Sequence, residues 1–77
     1  MITSQQIRAA RAILRITVAE LAEMSEVGIA TIKRIEAVNG IPPSHAKTLD
    51  QLVRTLTNAG VDFIGSPDDR PGVRLNK

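Results

Sequence analysis

Two adjacent cations, Lys33 and Arg34, are the side chains of this sequence with the clearest chemical use. The planar guanidinium of an arginine can donate two parallel hydrogen bonds to one partner, such as the O6 and N7 atoms of guanine. A lysine ammonium can instead meet a phosphate group as a point charge. A charged pair is also ordinary on the solvated face of a helix, so the elements around the pair decide its meaning.

Catalytic chemistry finds little support in the sequence. The chain has no cysteine and one histidine, His45, and shows neither a nucleophile–base constellation nor a glycine-rich phosphate loop. Asp68 and Asp69 stand beside prolines, where acidic residues ordinarily form a turn. With Phe63 as the single aromatic residue, base stacking of the single-strand-binding kind is excluded. We therefore expect a protein that is not an enzyme and that uses no cofactor or metal.

Length and charge restrict the architecture. The 77 residues have room for one domain, residues 1–77, with a small core. The formal net charge is +2 and the sequence pI is about 9.7, which suits a nucleic-acid-binding protein if the cations share a face. No secretory segment or membrane-spanning apolar run is found, so we expect a soluble, cytoplasmic protein. A core this small gains from a second subunit, and we expect a homodimer.

The two cations lie in the third of three short predicted helices. Apolar residues three and four positions apart predict a first helix over residues 4–14, with a threonine or serine cap at its start. Thr17 and Glu20 are spaced as a capping box and predict a second helix that ends near residue 25.

A third helix is predicted to open at Gly28. Ile32 and Ile35 lie on its buried side, and Lys33 and Arg34 lie toward the other side. Two short helices joined by so few residues must cross steeply, which is the helix-turn-helix geometry.

The last part of the chain changes its periodicity. Pro42 and Pro43 end the helical run, and Ser44 is expected to cap a fourth helix that runs to about Asn58. Alternating apolar residues then predict a C-terminal β-hairpin at about residues 61–75, whose strands 61–64 and 72–75 flank a turn-rich loop. The expected fold is mostly α, a four-helix domain followed by this hairpin.

The segment Thr17–Glu36, TVAELAEMSEVGIATIKRIE, resembles the helix-turn-helix of the Cro/repressor (Xre-type) family of DNA-binding proteins. It carries the polar cap, the E-L-A motif, and the A-T-I motif leading to I-E that are typical of that family. The likeness extends through IRAARAIL in the first helix and TLDQLVRTL in the fourth, roughly the first three-quarters of the chain. The ending AGVDFI…PGVRL is similar to the strand tail of short family members.

The resemblance implies a transcriptional regulator that binds double-stranded DNA as a homodimer on an approximate palindrome. Its third helix would enter the major groove, where Arg34 would read a base and Lys33 would meet a phosphate. Arg11 by itself suggests a phosphate contact, whereas the resemblance implies a buried structural ion pair between Arg11 and Glu36. Arg8 is expected on a solvated face, with a DNA contact as the alternative. The residues expected at the DNA are Thr17, Val18, Gly28, Ile29, Ala30, Thr31, Lys33, Arg34 and Asn39.

Three positions depart from the family pattern. Glu26 replaces a glycine of the turn, Gly28 replaces a capping serine or threonine, and Val18 replaces a glutamine that meets a phosphate. A left-handed backbone at Glu26 would be mildly strained. The apolar tip at Gly28, Ile29 and Ala30 supports a second hypothesis, a protein-interaction module such as an antitoxin that binds a toxin through the same scaffold.

Overall fold

Apolar residues at helical spacing fold most of this chain into four helices, and the alternating segment that follows forms a hairpin. The computed structural model describes residues 1–77, and about half of them are helical. The prediction of a mostly α domain with four helices and a C-terminal hairpin is confirmed. The elements are α1 (Ser4–Leu14), α2 (Val18–Ser25), α3 (Ile29–Glu36), α4 (Ala46–Asn58), β1 (Val61–Ser66) and β2 (Asp69–Leu75).

Reciprocal capping boxes start the first two helices. The Oγ1 atom of Thr3 accepts a hydrogen bond from the Gln6 N–H at 3.1 Å, and the Thr3 N–H donates to Gln6 Oε1 at 2.8 Å. Thr17 and Glu20 repeat this arrangement at the start of α2, with distances of 3.0 and 2.8 Å. The capping box predicted at Thr17 is therefore present, and such caps contribute about 1 kcal/mol each.

The fourth helix begins one residue later than the sequence predicts. The Ser44 N–H donates to the Pro42 carbonyl oxygen at 3.0 Å, which holds Ser44 in a turn. His45 is the N-cap and makes no side-chain capping bond. The expectation that Ser44 caps this helix is wrong because the proline-rich turn extends through it.

The core lies where the four helices and β1 meet. Apolar side chains from every helix and from β1 reach it. Leu14 of α1 and Val53 of α4 pack against it and are only partly covered. Burying such a side chain contributes about 1.5–3 kcal/mol. The large apolar side chains that are fully or almost fully buried are Ile7, Leu21, Ile32, Ile35, Leu52, Leu56 and Val61.

The hairpin occupies residues 61–75 as predicted, but each of its strands is longer than expected. The strands continue to the pair Ser66–Asp69, with an irregularity after Ile64, so the expected loop over 65–71 is largely strand. Gly65 makes this possible with φ of +75°, because a Cβ atom there would lie 2.2 Å from the Arg70 carbonyl oxygen. The prediction placed the loop at the turn-forming residues, which instead form a bulge and a tight turn.

A buried glutamine fastens the hairpin to α1. Gln6 Nε2 lies 3.1 Å from the carbonyl oxygen of Ile64 on β1 and 3.0 Å from that of Gly72 on β2. Val61 is buried against the helices, whereas the other face of the sheet carries an ion pair between Arg74 and Asp62 at 3.3 Å. None of the helices combines the length and apolar character that crossing a membrane requires.

Candidate nucleic-acid interface

Residues 26–28 join α2 to α3 and fix where the candidate surface starts. Glu26 has a left-handed backbone with φ of 63°, and its N–H donates to the Ala22 carbonyl oxygen at 2.9 Å. Val27 is buried in the core, and its N–H donates to Ser25 Oγ at 3.2 Å. The strained conformation anticipated for Glu26 is therefore present, and the buried valine holds the connection in place.

One side of α3 is buried and the other faces solvent. Ile32 and Ile35 are 0 and 1% exposed, whereas Lys33 and Arg34 are exposed. Thr31 is half-buried, so this predicted contact residue lies at the border of the open side. The open side begins at Gly28 and carries Ile29, Ala30, Lys33 and Arg34.

No side chain caps the N-terminal end of α3. Gly28 is the N-cap residue, with φ of −60° and ψ of 146°, and it makes no side-chain capping bond. The first N–H groups of a helix have no intrahelical acceptor, and the helix dipole gives this end a partial positive charge. Ile29, 44% exposed, lies directly beside these N–H groups. This end of α3 therefore has an apolar surface and can also donate hydrogen bonds to an acceptor.

The start of α2 offers fewer groups for contact with a partner than the sequence predicts. Thr17 is exposed, but its hydroxyl oxygen already accepts the Glu20 N–H; its O–H remains able to donate. Val18 is half-buried and packs against the core. A side chain that helps to fill the core has little area left for a partner.

α2 and α3 carry exposed charges of opposite sign. Glu20, Glu23 and Glu26 are exposed on α2 and at its C-cap, whereas the exposed cations of α3 lie in its last turn. Lys33 and Arg34 near the C-terminal end of a helix interact favourably with the helix dipole. An anion is thus attracted to α3 and repelled by the outer face of α2.

Arg11 and Glu36 join α1 to the end of α3. The Arg11 Nε and Nη2 atoms lie 3.0 and 2.9 Å from the two carboxylate oxygens of Glu36, and Nη1 donates to the Ile16 carbonyl oxygen at 3.2 Å. These hydrogen bonds to Glu36 raise the pKa of the Arg11 guanidinium, while its partial burial acts in the opposite direction. The guanidinium is occupied on every nitrogen and holds the two helices together.

Arg8 is a structural residue that sequence reasoning missed. Its Nη1 atom donates to the carbonyl oxygens of Glu36 and, at 3.1 Å, of Val38, and its Nη2 lies 3.5 Å from Asn39 Oδ1. The expectation of a solvated Arg8 is wrong. The spacing of Arg8 and Arg11 places both on one side of α1, but carbonyl acceptors 28 and 30 residues away leave no signal in the sequence.

Asn39 lies beyond the C-terminal end of α3. This residue is exposed, and Gly40 follows it with φ of +84°. α3 has eight residues and is about 12 Å long, and Gly28 and Asn39 lie beyond its opposite ends. The candidate contacts therefore occur at both ends of α3 and along its open side.

The most apolar surface hollow lies elsewhere. It has a volume of about 250 Å³ and lies between the N-terminal residues Met1 and Ile2, the segment around Pro42, and Leu49 and Val53 of α4. None of its lining residues belongs to α3. No cluster of three or more histidine, aspartate or glutamate side chains has a geometry that could hold a metal ion.

No protein-family model matches this chain, and no curated protein is similar enough to count as a relative.

Proposed function

We propose that this chain is a cytoplasmic helix-turn-helix transcriptional regulator of the Cro/repressor (Xre) type that binds double-stranded DNA as a homodimer. Residues 17–36 form the helix-turn-helix, and α3 is its recognition helix. The protein acts by binding and has no catalytic activity.

One observation carries this proposal: α3 follows α2 after only three residues and turns a basic, solvent-facing side outward. Its opposite side is fixed in the core through Ile32 and Ile35. A recognition helix needs this combination, because its side chains must reach the bases while its axis stays fixed against the domain.

The residues of α3 divide between reading bases and holding the backbone. Arg34 makes a bidentate contact with guanine, worth about 1–3 kcal/mol of discrimination. Ile29 and Ala30 meet thymine methyl groups, and Lys33 meets a phosphate. The uncapped N–H groups after Gly28 donate hydrogen bonds to a second phosphate at the positive end of the helix. Phosphate contacts fix the register, and base contacts provide the specificity.

A single copy offers few base contacts, so two copies bind one side of the duplex about 34 Å apart. Either α4 or the hairpin provides the contact between them. The bound site is then an approximate palindrome.

The test is selection from a randomised duplex pool at two salt concentrations, followed by sequencing. An enriched palindrome supports both the regulator and its two-fold symmetry. Binding that is weak, decreases with salt and enriches no sequence would show only electrostatic attraction to DNA. This result would contradict the proposal of a sequence-specific regulator.

A second candidate is an antitoxin or another module that binds a partner protein through the same scaffold. It is favoured by the exposed Ile29, with Gly28 and Ala30 beside it, because groove-reading surfaces are usually more polar. Changing Ile29 to serine discriminates the two. In an antitoxin, this change would abolish toxin binding and leave most of the DNA affinity. In a regulator that binds only DNA, it would alter the base preference at a position occupied by thymine.

A further inference from the structure

The N-terminal turn of α1 binds the last turn of α3 and the backbone that follows it. Ser4 Oγ donates to the Ile35 carbonyl oxygen at 2.6 Å. The Ser4 N–H donates to the Gly40 carbonyl oxygen at 2.8 Å, and Gln5 Oε1 accepts the Gly40 N–H at the same distance. Both backbone groups of Gly40 are therefore held by α1.

Arg8 binds the same segment one helical turn further along α1. Many helices end on a left-handed residue whose N–H satisfies the last carbonyl groups. Here the C-cap, Ala37, stays in the right-handed region with φ of −78°. The carbonyl groups of Glu36 and Val38 are instead satisfied by the Arg8 guanidinium. Its positive charge also suits the negative end of the α3 dipole.

Asn39 lies between two anchored residues. The Val38 carbonyl group is bound by Arg8 on one side, and Gly40 is bound by α1 on the other. A guanidinium group can only donate, so Asn39 turns its amide oxygen toward Arg8, at 3.5 Å. The amide NH₂ group of this exposed residue is left to donate to an outside acceptor.

We propose that Arg8 is a positioning residue of the DNA interface, which holds Asn39 so that its amide NH₂ group donates to a backbone phosphate. This inference rests on the proposed function and adds a contact beyond the far end of the recognition helix. Arg8 does not touch the DNA. It acts through the geometry of residues 38–40.

The experiment is a double-mutant cycle on binding to the selected duplex, using Arg8→Met, Asn39→Ala and the pair together. Lys77→Met is the charge-matched control, because Lys77 is exposed, lies beyond β2 and forms no ion pair. All proteins are compared at a temperature at which circular dichroism shows them fully folded. One hydrogen bond to a charged group corresponds to about a tenfold change in Kd.

We expect Arg8→Met and Asn39→Ala each to weaken binding about tenfold, and the double variant to bind like Asn39→Ala alone. Lys77→Met should stay within about twofold of wild type, because the charge of an exposed side chain is screened by salt. Losses that multiply in the double variant would show that Arg8 affects binding independently of Asn39, and would overturn the proposal.

A surface variant covers the case in which Arg8→Met does not fold. Asn39→Asp should weaken binding by more than tenfold, because a carboxylate would face the phosphate. Binding by Asn39→Asp and Asn39→Ala at the wild-type level would refute the contact while leaving the regulator intact. Failure of the wild-type protein to bind any duplex would instead refute the proposed function, and the inference with it.

Discussion

At its C-terminal end α3 is tied to α1 by side-chain hydrogen bonds, whereas at its N-terminal end it begins at a glycine that offers no capping group. The tied end combines the buried carboxylate of Glu36 with donors from Ser4, Arg8 and Arg11. The open end presents Ile29 and unpaired N–H groups to solvent. A helix that must hold its direction while one end meets a ligand needs both kinds of end.

The largest effect is expected at the tied end, from Glu36→Ala. This variant leaves the Arg11 guanidinium unpaired against the core. The loss should be about 2–3 kcal/mol of unfolding free energy, below the 3–5 kcal/mol typical of a fully buried pair, because the Arg11 side chain is 25% exposed. Chemical or thermal unfolding measures it, with Glu23→Ala on the exposed face of α2 as the control. Equal melting temperatures for wild type and Glu36→Ala would show that the tie adds no stability.

On the open side of α3, Arg34→Ala should reduce affinity for the selected duplex by about 1–3 kcal/mol and relax one base position. The melting temperature should be unchanged, since this side chain is exposed and makes no hydrogen bond within the protein. Binding titrations against single-base variants of the site measure the effect, with Lys77→Ala as the charge-matched control. A uniform loss on every sequence would assign Arg34 to a phosphate and leave base reading to other residues.

The turn that leads into the open end carries a strain that Glu26→Gly should remove. Glycine adopts the observed φ of 63° without a Cβ clash, although it loses more entropy on folding. We expect a net gain of about 0.5–1 kcal/mol in unfolding free energy. The same replacement inside α2, Glu23→Gly, should instead destabilise by about 1 kcal/mol. If Glu26→Gly and Glu23→Gly changed the unfolding free energy in the same direction, the backbone of Glu26 would not be strained.

The smallest effect is expected from giving the open end a cap. A Cβ atom at Gly28 would lie 3.9 Å from Thr31 Oγ1, so a serine fits without displacement. Gly28→Ser should stabilise by a few tenths of a kcal/mol, and Gly28→Ala should destabilise slightly, because only the hydroxyl can accept an N–H. Thermal unfolding of both variants resolves the sign. If Gly28→Ala stabilised the protein as much as Gly28→Ser, the gain would not come from a capping hydrogen bond.

Sequence reasoning was most successful where structure depends on near neighbours. The bounds of α1 and the capping box at Thr17 follow from residues within a few positions of each other. The open side of α3 follows from its amphipathic spacing. The turn at Ser44 and the bulge at Gly65 were misjudged, because several turn-forming residues stand together and local preference does not choose among them.

The attachments of α1 lay beyond prediction for a different reason. Ser4, Gln5 and Arg8 bind partners that are 28 to 36 residues away in the chain. A polar side chain in an amphipathic helix is equally compatible with solvent. Only the packed fold supplies the carbonyl groups that Arg8 meets. The Arg11–Glu36 pair was anticipated only through the family resemblance, since spacing alone left a phosphate contact open.

The bridge from Gln6 to the hairpin has a consequence for synthesis on the ribosome. The two carbonyl groups that accept from Gln6 are 58 and 66 residues away. The first becomes available only when Ile64 has been synthesised, and the second only when Gly72 has been added. The four helices and the polar ties of α3 need no residue beyond Asn58. At about 5–20 residues per second, the hairpin follows them on the order of one second later. Translation therefore completes α3 and its attachments to α1 before it makes the hairpin.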